Sequence, residues 1–223
     1  MPTRRGQRLS DWKIFAALVA WSAVPALAGT ARLTELARGA ALTAANARFL
    51  AMPLPVVLHI LTVIPFSILG AMQFAPTFRK RHQAWHRAAG RVLVVCGLTA
   101  ALTGLWMTLV YPWPAGDGEA LYIERLVFGS AMLLSMAMAI NAIRRRNFAT
   151  HGEWMIRAYA IGMGAGTQVL THLPYFVLVG TPDESVRAVL MGAGWVINVI
   201  VAEWIIRRAP AHRVIVALSA ATR

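Results

Sequence analysis

Six histidines carry most of the chemical potential of this chain: His59, His82, His86, His151, His172 and His212. An imidazole titrates near neutrality, ligates metals and exchanges hydrogen bonds in either direction. It is also costly to place in hydrocarbon, so a histidine inside an apolar run marks a functional site by default. His59 falls about two turns inside the run 53–74, and His172 stands near the far end of the stretch 151–176, HGEWMIRAYAIGMGAGTQVLTHLPYF. Three readings of this pair stand side by side. Two neutral imidazoles on different helices can grip the iron of a haem b. They can bind a quinone or relay a proton. They can also simply join helices by hydrogen bonds. Gln168, one turn before His172, would reach the same ligand.

A second pair, His86 and His151, stands just ahead of two other apolar runs. Arg81, Arg87 and Arg91 bracket it, which favours an anionic occupant such as a haem propionate, a phosphate or a lipid head group. An ordinary basic turn beside the membrane is the alternative reading. His82 and His86 share a helical face at i, i+4, but His82-Gln83-Ala84-Trp85-His86 lacks the glutamate of a metalloprotease motif. No metal is expected beyond a haem iron. His82 and His212 fall in basic segments outside the pairs.

The elements that must position these residues are apolar helices. Of 223 residues, 58% are hydrophobic and 14% charged, and the mean hydropathy is +0.57. A soluble domain carries roughly 45–50% apolar and about 25% charged residues. The apolar surplus comes in runs near bilayer length at about 12–29, 53–74, 92–111, 122–143, 154–179 and 186–206. This predicts a single integral membrane domain over 1–223, an all-α bundle of six spanning helices. The first run could instead be a signal peptide, because Arg4, Arg5 and Arg8 precede it and Ala26-Leu27-Ala28 resembles a cleavage site. We expect it to be retained as a span. Residues 30–52 read equally as an interfacial helix or as a loop.

The net charge of +13 would suggest nucleic acid in a soluble chain. Here the lysines and arginines lie between apolar runs, so they read as topology signals and no nucleic-acid partner is expected. Arg4, Arg5, Arg8 and Lys13, the 79–91 cluster, Arg144 to Arg146, and Arg207, Arg208 and Arg213 fall on one side. The opposite loops hold Asp117, Glu119, Asp183 and Glu184, with arginines at 32, 38 and 48. This places both termini in the cytoplasm of a bacterial cell, with the chain in its inner membrane. Trp12, Trp85, Trp154 and Trp204 then sit at the cytoplasmic interface. The lone Cys96 forms no intrachain disulfide. Without a P-loop, CxxC, paired acids or a nucleophile constellation, a hydrolase or ATPase is not expected.

Glycine spacing adds a constraint. Gly90, Gly97 and Gly104 fall near one face of the third run, four residues beyond His86, and Gly162 and Gly166 form a G-x-x-x-G pair. Small residues allow close helix approach, and the same relief leaves room for a flat macrocycle.

His59 in "LHI", Gln73-Phe74, "HRAAGR" from His86 to Arg91, and "HGEWMIRAYA" from His151 to Ala160 resemble the bacterial domain-of-unknown-function family 2306, across roughly residues 50–180. The resemblance implies a multi-pass membrane protein with His59, His86, His151, Trp154 and Arg157 at motif positions. More loosely, the paired histidines are similar to the four-helix cytochrome b bundle, whose ligands sit on facing helices. His151 and His172 are 21 residues apart, about 31 Å on one helix, which accommodates one outer haem, or none, more easily than two stacked ones. The expectation is a small membrane redox protein with haem b or a quinone at these histidines, in the lipid bilayer with a redox partner. The alternative is a transporter or accessory membrane subunit whose histidines serve proton coupling or packing.

Overall fold

The computed structural model describes residues 4–208, with side chains from residue 11 onward. His212 and Arg213 therefore lie outside the described residues. Among the described residues nine helices follow in order: α1 Arg4–Ala37, α2 Ala47–Ala51, α3 Pro53–Gln73, α4 Pro76–Arg81, α5 Gln83–Val110, α6 Glu119–Arg144, α7 Phe148–Gly162, α8 Gly164–Leu178 and α9 Glu184–Arg208. The protein is all-α, as expected. Within the described residues, five helices are long and apolar enough to cross a membrane: Asp11–Ala37 of α1, and all of α3, α5, α6 and α9.

The stretch 154–179 departs from the single span read from its hydropathy. It is two helices of 15 residues each, α7 and α8, broken at Met163. The physical reason is the sequence Gly162-Met163-Gly164-Ala165-Gly166, whose glycines hold a helix weakly. The neighbouring α9 also intervenes, since Asn198 Nδ2 donates to the Ala160 carbonyl at 3.0 Å and satisfies it from outside the helix. The first helix also runs past the expected 12–29 and continues to Ala37. It is part of the bundle: Trp21 Nε1 donates to Thr167 Oγ1 on α8 at 3.0 Å, and a Cβ on Gly166 would lie 2.3 Å from the Trp21 carbonyl oxygen. Residues 38–46 are turn and coil leading to the short α2.

Helix starts follow local chemistry. Proline opens α3 and α4, where a missing N–H costs nothing. Asn147 caps α7 by accepting from the Thr150 N–H at 3.1 Å. The pairs α3–α5, α6–α7 and α8–α9 pack closely, with α1 across α3 and α8. Phe66, Met132, Met136, Ala158, Tyr159 and Ile161 form the buried centre. The outer faces carry exposed Leu61, Val95, Leu102, Val127, Leu134 and Ile200. That much outward apolar surface suits lipid rather than water.

Helices α3 and α7 also meet closely. The Tyr159 hydroxyl donates to the Ser67 carbonyl at 2.6 Å, and its ring passes so close to Gly70 that an added Cβ would stand 2.6 Å from Cε2. The expected glycine stripe of the third run is only partly a packing face. Gly97 meets Phe66 and Met136, Gly104 meets His59, and Gly90 meets nothing. Overfilling such a contact costs about 1–3 kcal/mol. Gly70→Val should therefore lower the thermal midpoint of the detergent-solubilised protein, while Gly90→Val should leave it unchanged.

Candidate functional site

Polar contacts sort into the two ends of the bundle. One end, the basic end, holds the start of α1 beside α4, where the Asp11 carboxylate accepts from the Phe78 N–H at 2.9 Å. It also holds the α7–α9 ion pair, Arg157 Nε to Glu203 Oε1 at 2.5 Å and Nη2 to Oε2 at 3.2 Å. The Arg157 guanidinium lies 4.6 Å from the centre of the Trp154 ring. His86 and His151 come together here. His86 lies within electrostatic range of Arg79, His151 and Arg87. His151 Nδ1 donates to the Ala139 carbonyl at 3.0 Å, and His86 Nδ1 is enclosed without a partner. Arg91 turns away, its Nε donating to the Arg87 carbonyl at 3.3 Å. His82 caps α5 and stacks on Phe78, ring centres 4.6 Å apart.

The opposite end is tied by Asp117, whose side chain is 2% exposed between Arg125 at 2.6 Å and Arg187 at 2.7 Å. These bonds pin the α5–α6 loop to α6 and α9. Arg32 pairs with Glu35, and Glu35 accepts from Asn46 Nδ2 at 2.7 Å. The Tyr111 hydroxyl donates to the Met52 carbonyl at 2.5 Å. Arg48, on α2, lies over Phe49 with 4.6 Å from guanidinium carbon to ring centre. Its Nε is enclosed without a partner. Burial pulls this guanidinium down from its ordinary value, and nearby Asp117 works against that pull.

Between this end and the buried centre lies a cavity of about 450 Å³. Helices α1, α3, α5, α6 and α9 and the α7–α8 break wall it, and Arg48, Arg125 and Trp113 line it near Asp117. His59 is in the wall. Its Nδ1 lies 2.9 Å from the Ala100 carbonyl and 3.2 Å from Thr103 Oγ1. A carbonyl only accepts, so Nδ1 carries the proton and Nε2 keeps its lone pair. This is the tautomer and anchoring of a metal-ligating histidine.

His172 is not in that wall. Its Nδ1 donates to the Gln168 carbonyl at 2.8 Å, and its Nε2 is enclosed without a partner. The expected pair His59 and His172 thus does not share the cavity, whereas Gln168 does, with its amide bound to the Met191 carbonyl at 3.1 Å. No group of three metal-ligating side chains gathers among the described residues.

Sequence reasoning read Arg48 and Asp117 as loop charges and did not single out Arg125 or Arg187. The signal was present in Glu124 and Arg125, two charges set inside the run 122–143. Glu124 lies against Gly192 of α9, where an added Cβ would stand 2.5 Å from Oε1.

A bundle with five helices long and apolar enough to cross a bilayer, and with apolar outer faces, is a multi-pass membrane protein. The chain belongs to the family described as predicted membrane protein DUF2306, whose model matches residues 56–206. No curated protein and no solved structure matches the chain. The matched region begins three residues before His59 and includes His86, His151, Trp154, Arg157 and His172.

Removing one member of a buried ion pair costs about 3–5 kcal/mol, because the partner charge is left uncompensated. Asp117→Asn should therefore destabilise the protein by about 3 kcal/mol. A double-mutant cycle with Arg187→Met should show coupling, and additive effects would count against a shared carboxylate.

Proposed function

We propose that this chain is a small redox protein of the bacterial inner membrane, with its basic end in the cytoplasm, that holds haem b or a quinone in the cavity beside His59. The observation that carries the reading is the His59 ring itself. Its Nδ1–H is committed to Ala100, and its Nε2 is left for whatever fills an apolar cavity of about 450 Å³. Either group would supply electron exchange there. The chain's part is to hold and orient the group and to exclude water. His59 would contact a haem iron or accept the hydroxyl proton of a quinol. The orienting bond to Ala100 puts the ring proton on Nδ1, so in the neutral ring Nε2 is the acceptor. Met132 and Trp195 line the wall and would pack against a ring system. His172 and the pair His86 and His151 would serve a neighbouring electron or proton path at the two ends.

The protein purified in mild detergent after haem-supplemented expression should show a Soret band and a dithionite-sensitive α band, or yield quinone on lipid extraction. His59→Ala should abolish whichever is found. Absence of both from the wild type would sink the redox reading.

A transporter is the second reading, and the break at Met163 favours it. Interrupted helices beside a cavity at mid-bundle are the usual substrate-site construction of secondary transporters. Ala165 adjoins that break and is exposed to the cavity. In a Cys96→Ala background, a transporter should let Ala165→Cys react with a membrane-impermeant maleimide from both faces. Labelling from one face only would exclude alternating access.

A further inference from the structure

We propose that the cavity takes an amphiphile with an acidic head, a carboxylate or a phosphate, and that Arg48 seats the head while the apolar part lies toward His59. Arg48 has three guanidiniums beside it, and those three have carboxylate partners: Arg125 and Arg187 share Asp117, and Arg32 holds Glu35. Among the described residues Arg48 has none. Its charged neighbours are Asp117, already held by two arginines, and Arg125, Arg32 and Arg187. An enclosed Nε without a partner and a guanidinium beside three others are both unfavourable, and an anion beside Arg48 would relieve both. Arg48 is in the cavity wall, so its anion and the cavity's contents are one molecule or immediate neighbours.

Below Arg48 the wall is mainly apolar, with Ile64, Val63 and Trp195 among its residues. Inorganic phosphate would leave that surface unfilled, and a neutral lipid would leave Arg48 unpaired. An acidic amphiphile satisfies both demands. The inference rests on the reading that this cavity is the ligand site. Within it, haem b is favoured over a quinone, because haem b carries two propionates and a quinone carries no acid. A long-chain fatty acid or a lysophospholipid would bring the same chemistry from the membrane.

The test uses the full chain in nanodiscs and three probes with their neutral counterparts. These are haem b against its dimethyl ester, a fluorescent long-chain fatty acid against its methyl ester, and a fluorescent lysophosphatidic acid against the matching monoacylglycerol. At least one acidic probe should bind roughly tenfold more tightly than its neutral counterpart, as one charge-assisted contact allows. Arg48→Gln should remove that preference while leaving the neutral probe's affinity unchanged, which also shows that the variant is folded. Arg48→Lys should keep most of the preference. Which acid is preferred, the haem, the fatty acid or the phosphate lipid, distinguishes the sources. Equal affinity of every pair, no binding of any acidic probe, or a preference that survives Arg48→Gln overturns the proposal. Haem binding that ignores esterification and Arg48 would keep the redox reading and discard this one. Acidic-lipid binding without haem or quinone would do the reverse.

Discussion

Lipid offers no hydrogen-bond partners, so polar groups in the spanning part bond within the protein where a partner is in reach, and His172 Nε2 and Glu124 Oε2 are enclosed without one. Three histidines follow that constraint at Nδ1. His59, His151 and His172 all give their Nδ1 proton to a backbone carbonyl, at 2.9, 3.0 and 2.8 Å. The bond fixes one tautomer and leaves Nε2 as the atom that can act. What differs is the surroundings of Nε2. At His172 it is enclosed by protein, and at His59 the ring borders a cavity. The same demand draws Thr167 to Asn198, Trp21 to Thr167 and Asn198 to the Ala160 carbonyl, which stitches α1, α8 and α9 around the break at Met163.

The two ends of the bundle solve the electrostatic problem differently. At the basic end, arginine and glutamate meet across α7 and α9, and an aromatic ring backs the arginine. At the opposite end a single buried carboxylate, Asp117, serves two arginines and closes the loop over the cavity. Around Arg48 the charged neighbours are Asp117 and three arginines, each of which has a carboxylate partner that Arg48 lacks among the described residues. A cavity with a mainly apolar wall and an unpaired guanidinium in it is selective before any other contact is considered. The broken helix adds a wall whose backbone can shift at small energetic cost, since glycine flanks Met163 on both sides.

The pairing of His86 with His151 was legible from the alternation of spans, whereas the partner of Arg157, Glu203, is a finding of the structure. Alternating direction places the starts of α5 and α7 and the end of α9 at one level. The pairing of His59 with His172 was inferred by the same rule and rested only on depth. Depth fixes height along the bundle normal and says nothing of which way a ring turns. The ring of His59 turns to α5, because Ala100 and Thr103 offer oxygens there and Gly104 leaves room. The ring of His172 turns back along its own helix. Glu124 and Arg125 were visible as charges in an apolar run, but their partners, Gly192 and Asp117, lie 68 residues later and 8 residues earlier.

Hydropathy, run length and charge placement by themselves determined that this is an all-helical membrane protein. Those quantities are sums over consecutive residues, and the bilayer acts on each segment separately. Only the tertiary structure decided that the fifth run is two helices, that a cavity opens beside His59 and that Arg48 is left without a carboxylate. Each of these depends on which side chains face one another across helices. Close approach through Gly70, Gly97 and Gly166 settles that, and the spacing of residues along one chain does not carry it.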